Sequence, residues 1–212
     1  MRIFVTAGPT REYFDTVRFI SNPSSGKMGF AIAREAVRRG HDVVLIAGPV
    51  DLPDPAGVRV VRVISAAEMF DASVQLFKNA DAGIMTAAVC DYRPSRTLDH
   101  KLKKQARVRP IQLRPTRDIC AHLGRIKAGR IVIGFAMEDH DHRAHAEAKL
   151  KRKRCDIVVL NGIGNVGGDR AEVEVLDAKT GWSGPFTGTK SRIGGMVVGL
   201  AESKWRSVQT KV

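Results

Sequence analysis

The sequence predicts an α/β fold: a three-layer, Rossmann-like arrangement with a mostly parallel sheet, helices on both faces and a C-terminal β-hairpin extension. Two apolar runs, Arg2–Ala7 and Asp42–Ala47, are nearly continuous rather than alternating, which is typical of strands buried on both faces. Helical periodicity over Gly26–Arg39 separates these two runs. Because further strands and helices alternate along the chain, we expect a parallel sheet between two helical layers.

The first half of the chain is predicted to contain four strands and two helices. Gly8-Pro9-Thr10 ends the first strand, and a polar loop continues to Ser25 before the first helix. Gly40 closes that helix, and the capping box Ser65-Ala-Ala-Glu68 opens a second helix that extends to about Asn79. The other strands of this half are predicted at Asp42–Ala47, Val58–Val63 and Ala82–Ala87.

The second half is predicted to complete the sheet and to add the hairpin. Cys90–Gln105 is polar and contains Pro94, which indicates an exposed loop. Glycines after Asn161 indicate another loop, and the alternation of Glu172–Asp177 before Lys179-Thr-Gly181 predicts an antiparallel hairpin within about 162–190. The other predicted elements are a short strand at Arg107–Leu113, a helix capped by Thr116 and ending near Lys127, a strand at Arg130–Phe135, a charged helix at Asp139–Arg154, a strand at Asp156–Leu160 and a last helix from about Ser191 to Trp205.

The composition suits one globular domain over residues 1–212. Of the 212 residues, 43% are hydrophobic, which is enough for a core. No apolar run approaches the ~20 residues of a membrane span, and Met1–Ala7 lacks the features of a signal peptide. The three cysteines, Cys90, Cys120 and Cys155, are widely spaced and form no C-x-x-C pair. We therefore expect buried thiols in a cytoplasmic protein, rather than a disulfide or a zinc site.

The charge favours anionic partners. The formal net charge is +13, which suits nucleic acid, a membrane surface or phosphorylated small molecules. Aromatic residues make up only 6% of the chain, which weakens a single-strand binding platform, and no recognition-helix motif is present. A nucleic-acid binder and an NAD(P)-linked reductase remain the alternative hypotheses; the absence of G-x-G-x-x-G disfavours the reductase.

The first candidate site is the loop before the first helix. It contains Gly8-Pro-Thr-Arg-Glu12 and Val17-Arg-Phe-Ile-Ser-Asn-Pro-Ser-Ser-Gly-Lys-Met-Gly29. Free amides at a helix start attract anions. The loop is not a Walker motif, because Ser21 replaces its leading glycine and Met28 its metal-binding hydroxyl. An ordinary serine-capped loop is the alternative, but the polar residues Arg18, Asn22, Ser24, Ser25 and Lys27 favour binding of a phosphate or carboxylate.

The second and third candidate sites are basic. Thr86–Pro94 follows a strand and precedes Lys101-Leu-Lys-Lys104, which could close over a polyphosphate or could be an ordinary solvated loop. Lys149 and Lys153 share one helix face, which could bind phosphate or simply face solvent. Glu138–His145 contains several metal-ligand types, but His140 and His142 at i, i+2 cannot share a helix face, so we expect a polar helix start there.

These loops, in this order, resemble the phosphopantothenoylcysteine synthetase family, the bacterial CTP-dependent phosphopantothenate–cysteine ligases. The resemblance covers nearly the whole chain and is strongest from Arg2 to Lys104. It is carried by Thr6-Ala-Gly-Pro-Thr-Arg-Glu, Val17-Arg-Phe-Ile-Ser-Asn, Ser24-Ser-Gly-Lys-Met-Gly, Ala87-Ala-Val-Cys-Asp-Tyr-Arg-Pro and the K-x-K-K element at Lys101.

The resemblance implies a ligase of coenzyme A biosynthesis. In this family the carboxylate of 4′-phosphopantothenate attacks the α-phosphate of CTP, and an acyl-cytidylate forms as pyrophosphate leaves. The amine of L-cysteine then displaces CMP, giving 4′-phospho-N-pantothenoylcysteine. Mg²⁺ is expected to be held mainly by the triphosphate and water.

The resemblance also implies roles for individual residues. Asn22 matches the asparagine that binds the activated acyl group, Arg18 a neighbouring substrate-site arginine, and Lys101 the lysine that stabilises charge during acyl-cytidylate formation. Ala87 belongs to both the substrate and the nucleotide site. The residues expected to bind the nucleotide are Met85, Thr86, Ala87, Asp91, Lys101, Arg117, Asp118, Ile119, Cys120, Phe135, Lys149 and Lys153.

The chain departs from the family pattern at two places and lacks one familiar partner. Thr116-Arg117 stand where Asn-Pro is usual, which bears on the choice of base, and Leu160-Asn-Gly-Ile163 replaces A-N-D-V. Many bacterial members are fused to a flavin-dependent decarboxylase; here we expect no flavin, a free-standing or excised ligase, and a decarboxylase as a partner at most. Similar proteins form homodimers through the hairpin region, and the same is expected here.

Overall fold

A computed structural model of the chain describes residues 1–104 and 110–210. The main sheet has eight strands: β1 (Arg2–Ala7), β4 (Asp42–Ala47), β5 (Arg59–Arg62), β6 (Ala82–Met85), β9 (Ile131–Glu138), β10 (Ile157–Gly162), β11 (Arg170–Asp177) and β12 (Gly181–Thr189). Their spatial order is β12-β11-β10-β9-β6-β1-β4-β5, in which six strands are parallel and β11 and β12 are antiparallel at one edge.

Two small antiparallel ribbons and five helices complete the described structure. The ribbons pair β2 with β3 and β7 with β8, and both lie in the loops that follow central strands. These elements are β2 (Arg11–Tyr13), β3 (Phe19–Ser21), β7 (Tyr92–Pro94), β8 (Leu113–Pro115), α1 (Lys27–Arg38), α2 (Ala66–Phe77), α3 (Ile119–Ile126), α4 (His142–Lys153), α5 (Lys190–Gln209) and a 3-10 turn at Ile163–Asn165.

The two faces of the sheet bury separate hydrophobic cores, which confirms the predicted three-layer α/β architecture. Successive side chains of a strand point to opposite faces, so Ile3 and Val5 belong to one core and Phe4 to the other. Helices α1 and α5 cover the first core, with Phe30 and Val197 fully buried. Helices α2, α3 and α4 cover the second core.

The strand order reverses between β1 and β6. From β1 the chain continues to β4 and β5 on one side, and then crosses to β6, β9 and β10 on the other. Loops that leave two neighbouring strands in opposite directions open a crevice at the carboxyl edge of the sheet, where α/β proteins bind ligands. The loops after β1 and β6 were singled out in the sequence, and they border this crevice.

Several local predictions need correction. The polar loop before Ser25 contains the β2–β3 ribbon, and the Cys90–Gln105 segment contains β7. The strand predicted at Arg107–Leu113 falls partly on residues 105–109, outside the described residues; the strand observed is β8. Thr116 does not cap α3, because its hydroxyl donates to the Cys90 carbonyl at 2.6 Å; Asp118 caps the helix by accepting from the Ala121 amide at 2.9 Å.

Candidate active site

A cavity of about 440 Å³ lies at the switch point between β1 and β6. Its walls come from the loop leading into α1, the loop after β6, the start of α3, the ends of β9 and β10, and the start of α5. Five cationic side chains reach its lining, Lys27, Arg117, Lys149, Lys153 and Lys190, against two carboxylates, Asp91 and Asp118. The balance of fixed charge therefore favours an anionic ligand.

The N-terminus of α1 forms one wall. Gly26 is the N-cap residue in a left-handed conformation (φ 73°), and no side chain caps the first turn. The first amides of the helix therefore lack an intrahelical partner and carry the positive end of the helix dipole. The alternative prediction of an ordinary serine-capped helix start is therefore wrong. Binding of an anion by these free amides remains the hypothesis for this position.

Gly29 allows α1 to start so close to the strands. A Cβ atom at this position would lie 2.5 Å from the Ala7 Cβ and 2.5 Å from the Thr86 Oγ1. Thr86 in turn donates its hydroxyl to the Thr6 carbonyl at 2.6 Å, which joins the ends of β1 and β6. The glycine lets the helix amides reach the ligand crevice.

Asn22 lies in the cavity and connects its two main loops. Its Nδ2 donates to the carbonyl of Ala88 at 3.0 Å. The Ala88 amide donates to the Gly8 carbonyl at 2.9 Å, so backbone and side-chain bonds together tie the loop after β6 to the loop after β1. Within the described part of the chain no hydrogen bond engages the Asn22 Oδ1, which leaves this oxygen available to a ligand.

Arg18 and Lys101 are not part of the cavity lining. Arg18 is engaged by Asp15, with its Nε donating to Oδ2 at 2.9 Å, and it donates to the Leu102 carbonyl at 2.7 Å. Leu102 is the second residue of the K-x-K-K element, and its amide donates to Asp15 Oδ2 at 3.0 Å. Lys101 is exposed. The K-x-K-K segment is therefore fastened to the loop that carries Asn22, although Lys101 itself stands outside the cavity.

The buried carboxylate of Asp15 holds the K-x-K-K segment against the loop that carries Asn22. Burial alone would raise its pKa, but hydrogen bonds from the Arg18 side chain and from the backbone of Arg18, Leu102 and Val17 lower the pKa well below its ordinary value. Asp15 is fully buried and ionised at neutral pH. No sequence motif points to this residue, because one of its partners, Leu102, lies 87 positions away along the chain.

Apart from Lys101, which lies outside the cavity, the residues expected to bind the nucleotide meet in the cavity lining, with a qualification for Arg117. Its guanidinium lies over the Phe70 ring, 3.9 Å from the centroid, and pairs with Asp71 at 2.7 Å. Arg117 thus reaches the lining while its charged end is held at the α2 surface. The cavity also contains Met85, Thr86, Ala87, Asp91, Asp118, Ile119, Cys120, Phe135, Lys149 and Lys153.

Two lysines of α4 are oriented towards the start of α3 and the end of β9. Lys153 pairs with Asp118 Oδ2 at 3.0 Å, and Lys149 donates to the Phe135 carbonyl. Burial opposes ionisation of Asp118, but the Ala121 amide and the Lys153 charge outweigh it and lower the Asp118 pKa. Burial is the main cause that lowers the pKa of Lys149, and the neighbouring Lys153 charge lowers it further. Both lysines belong to the cavity lining.

Lys190 and Asn165 are cavity residues that sequence reasoning missed. Lys190 is the first residue of α5, and its Nζ donates to the Asn165 carbonyl at 3.0 Å. Burial lowers the Lys190 pKa, and the Lys27 charge lowers it further. The predicted start of the last helix at Ser191 placed this lysine in a loop, so no pattern pointed to it.

A separate polar cluster lies at the start of α4. One ring nitrogen each of His140 and His145 and a carboxylate oxygen of Asp141 lie within 4.8 Å of one another. The segment is indeed the polar start of a helix, with α4 beginning at His142. The approach of His140 to His145 was not anticipated, because only the pair His140 and His142 was considered.

The fold and the cavity define a doubly wound α/β protein with a cationic cavity at its topological switch point. The chain belongs to the family described as the DNA/pantothenate metabolism flavoprotein C-terminal domain, whose model matches residues 1–199. Among the described residues no helix is long and apolar enough to cross a membrane.

Similar proteins with curated names are longer than this chain. It is 47% identical over 168 residues to a cysteine/cysteine sulfinic acid decarboxylase of an unknown prokaryotic organism, covering 78% of this chain and 47% of that protein. It is 44% identical over 204 residues to the coenzyme A biosynthesis bifunctional protein CoaBC of Mycobacterium tuberculosis strain H37Rv, covering 91% and 48%. The chain thus spans less than half the length of these relatives.

Solved structures match the chain over nearly its whole length. The crystal structure of the C-terminal domain of a coenzyme A biosynthesis bifunctional protein CoaBC has a TM-score of 0.82 and 36% identity, covering 97% of this chain and 96% of that one. The Cab2 mutant H337A in complex with phosphopantothenate-cysteine has a TM-score of 0.80 at 14% identity, covering 99% and 87%, and shows the shared fold.

Proposed function

We propose that this chain is a phosphopantothenate–cysteine ligase of coenzyme A biosynthesis. It would use CTP to activate the carboxylate of 4′-phosphopantothenate as an acyl-cytidylate, and would then transfer the acyl group to the amine of L-cysteine. The observation that carries the proposal is the cationic switch-point cavity into which Asn22 and most of the family's expected nucleotide residues converge. The 36% identity to a CoaBC C-terminal domain over nearly the full chain supports it.

The cavity offers separate places for the two reacting molecules. The start of α3, with Asp118, Ile119 and Cys120, and the end of β6 would contact the nucleoside. Lys149 and Lys153 would neutralise the phosphates. The Asn22 side chain, beside the uncapped amides of α1, would hold the acyl group, so that carboxylate and α-phosphate are oriented for attack.

The chemistry requires stabilisation of charge rather than a covalent enzyme intermediate. As the carboxylate oxygen bonds to the α-phosphorus and pyrophosphate leaves, negative charge builds on the phosphoryl oxygens. Lys101 would approach this charge from the segment held by Asp15 and Arg18. The free amine of cysteine then attacks the acyl carbon, and CMP leaves with the bond electrons.

Mg²⁺ fits the cavity only as an ion carried by the nucleotide. The lining has two carboxylates, and Asp118 already accepts from Ala121 and pairs with Lys153. Mg²⁺ needs about six oxygen ligands and retains several waters in nucleotide sites. Asp91 could contribute one oxygen, directly or through water, while the ion screens the triphosphate.

Pyrophosphate release tests the proposal. With 4′-phosphopantothenate present and cysteine absent, CTP should give pyrophosphate and an acyl-cytidylate, and added cysteine should convert the intermediate to product and CMP. Comparing CTP, ATP, GTP and UTP measures the choice of base, which the Thr116-Arg117 departure puts in question. A folded protein that releases no pyrophosphate with any nucleotide contradicts the proposal.

Two partner interactions belong to the same proposal. We infer a homodimer in which the hairpin β11–β12 contributes to the contact, since β12 lies at the sheet edge with mostly exposed residues. Sedimentation velocity of wild type and of Phe186→Asp, a 37% exposed β12 residue, tests the dimer; a monomeric wild type at micromolar concentration would contradict it.

The second partner would be a separate phosphopantothenoylcysteine decarboxylase, which would use the product.

A further inference from the structure

Two of the three cysteines come together beneath the floor of the cavity. The Sγ atoms of Cys120 and Cys155 lie 3.3 Å apart, and both side chains are buried. Cys120 is the second residue of α3 and lines the cavity, whereas Cys155 follows α4 and precedes β10. The two residues are 35 positions apart, so only the packing of the second helical layer brings them together.

The surrounding backbone holds this dithiol in place. A Cβ atom on Gly134 of β9 would lie 3.3 Å from each sulfur, so the glycine provides the space that both thiols occupy. A Cβ atom on Gly124 would lie 1.9 Å from the Lys153 carbonyl, so α3 and the end of α4 are in close backbone contact. The ion pair of Lys153 with Asp118 joins the same two segments. The thiols therefore cannot drift apart without repacking this layer.

We propose that Cys120 and Cys155 form a site of reversible oxidation, in which a peroxide that enters the cavity converts the pair to a disulfide. A disulfide bond is about 2.05 Å long, so the sulfurs need to approach by only about 1.3 Å. Both side chains are buried, but Cys120 belongs to the cavity lining and Cys155 does not. Cys120 is therefore the sulfur that the oxidant reaches, and Cys155 is the resolving thiol.

The local electrostatics match this division of roles. The hydrogen bond between the two thiols lowers the pKa of Cys120; burial opposes this, and the charges of Lys153 and Lys149 support it. The same hydrogen bond and burial raise the pKa of Cys155. The thiolate is the reactive form of cysteine, and nearby cations favour it.

The reaction balances with hydrogen peroxide as the oxidant. The Cys120 thiolate attacks one peroxide oxygen, the O–O bond breaks, and the departing hydroxide takes the proton that Cys120 had lost, forming water and a sulfenic acid. The Cys155 sulfur then attacks the Cys120 sulfur, and the S–O bond breaks. The leaving hydroxide combines with the Cys155 proton as a second water. Two thiols lose two electrons and the peroxide gains them.

Non-reducing peptide mapping of the full chain tests the proposal. Folded protein treated with hydrogen peroxide should lose two hydrogen atoms, carry a Cys120–Cys155 linkage in its digest, and regain both thiols with a dithiol reductant. Cys90→Ser is the control, because Cys90 is the remaining buried thiol and lies in the loop after β6, beside Asn22; this variant should form the same linkage. Free thiols at Cys120 and Cys155 after treatment, or a linkage through Cys90, overturn the proposal.

Single variants assign the two roles. Cys155→Ser should accumulate a sulfenic acid at Cys120 that dimedone traps, whereas Cys120→Ser should give no adduct at Cys155. An adduct at Cys155 with none at Cys120 contradicts the order of attack. If a serine variant does not fold, as judged by circular dichroism, the alanine variant replaces it; the linkage in wild-type protein needs no variant.

Discussion

The backbone of Leu102 closes a ring of hydrogen bonds with Asp15 and Arg18. Its amide donates to Asp15 Oδ2 at 3.0 Å, and its carbonyl accepts from Arg18 at 2.7 Å. The buried carboxylate thereby attaches the K-x-K-K segment to the loop after β1. This relationship gives Arg18 a role in positioning that segment, where the resemblance had indicated contact with the substrate.

Replacing Asp15 should release the segment. Asp15→Asn removes the charge that Arg18 faces and one of the two acceptors that hold the loop amides. We expect kcat for pyrophosphate release to fall by up to about 10²-fold, since a 1 Å misplacement of a catalytic group can cost this much. Proteolysis between residues 95 and 104 should become faster. Asp54→Asn, at an exposed ion pair with Arg62, is the control and should change neither.

The same carboxylate should make stability depend on pH. The folded-state pKa of Asp15 is lowered, so its contribution is fully present above its unfolded value of about 3.9 and is lost as the pH falls through the folded value. The difference in Tm between wild type and Asp15→Asn should therefore be largest near pH 7 and should narrow below about pH 4. Calorimetry at several pH values measures it, and a constant difference would contradict the assignment.

Lys101→Gln should slow the first half-reaction and leave the fold intact. Lys101 is exposed, so its removal affects no core contact, whereas loss of one group that stabilises transition-state charge costs about 10²–10³-fold in kcat. Pyrophosphate release and Tm measure the two effects. Lys78→Gln, an exposed lysine at the far end of α2, is the matched control. Unchanged pyrophosphate release would remove Lys101 from the reaction.

Asn22→Asp should let the acyl-cytidylate accumulate. The substituted carboxylate cannot donate to the Ala88 carbonyl and places a negative charge beside the acyl group, so the attack by cysteine should suffer most. Quenched reactions analysed by mass spectrometry would show the intermediate in the presence of cysteine. Asn79→Asp, on an exposed turn after α2, is the control. If no intermediate is trapped, the role of Asn22 in the second step is wrong.

Gly29→Ala should damage the site and the fold together. The new Cβ would lie 2.5 Å from both Ala7 and Thr86, so α1 must shift away from the sheet. Overpacking of this kind costs about 1–3 kcal/mol, and the displaced amides should weaken nucleotide binding. Urea unfolding and calorimetric titration measure the two losses. Gly168→Ala, whose Cβ would have only one contact, at 3.8 Å, should change neither.

The parts of the fold that depend on local patterns could be predicted from the sequence. The bounds of Arg2–Ala7 and Asp42–Ala47 agree with β1 and β4, because continuous apolar runs bounded by turns specify buried strands. The β2–β3 ribbon was missed because three-residue strands carry no periodicity. The Thr116 cap was wrong because a tertiary bond to Cys90 engages its hydroxyl.

Part of the site could also be predicted, because some of its residues belong to local sequence motifs. Motif residues such as Asn22 and Lys149 reach the cavity because parallel strands bring their following loops to one edge. Asp15, Lys190 and the Cys120–Cys155 pair depend on contacts between distant segments, which a single sequence does not reveal. The role of Lys101 remains a prediction, since the structure attaches its segment to the loop that carries Asn22 but leaves Lys101 outside the cavity lining.

The first strand and the last helix both contribute residues to the cavity lining, Thr6 and Lys190 respectively. If the chain were divided in the loop between β10 and β11, neither fragment would carry the whole cavity lining. A ligand that needs both parts of the lining would therefore favour reunion of the two fragments, by about 2.7 kcal/mol at a concentration 100 times its Kd. A split version of the chain would act as a ligand-dependent complementation pair.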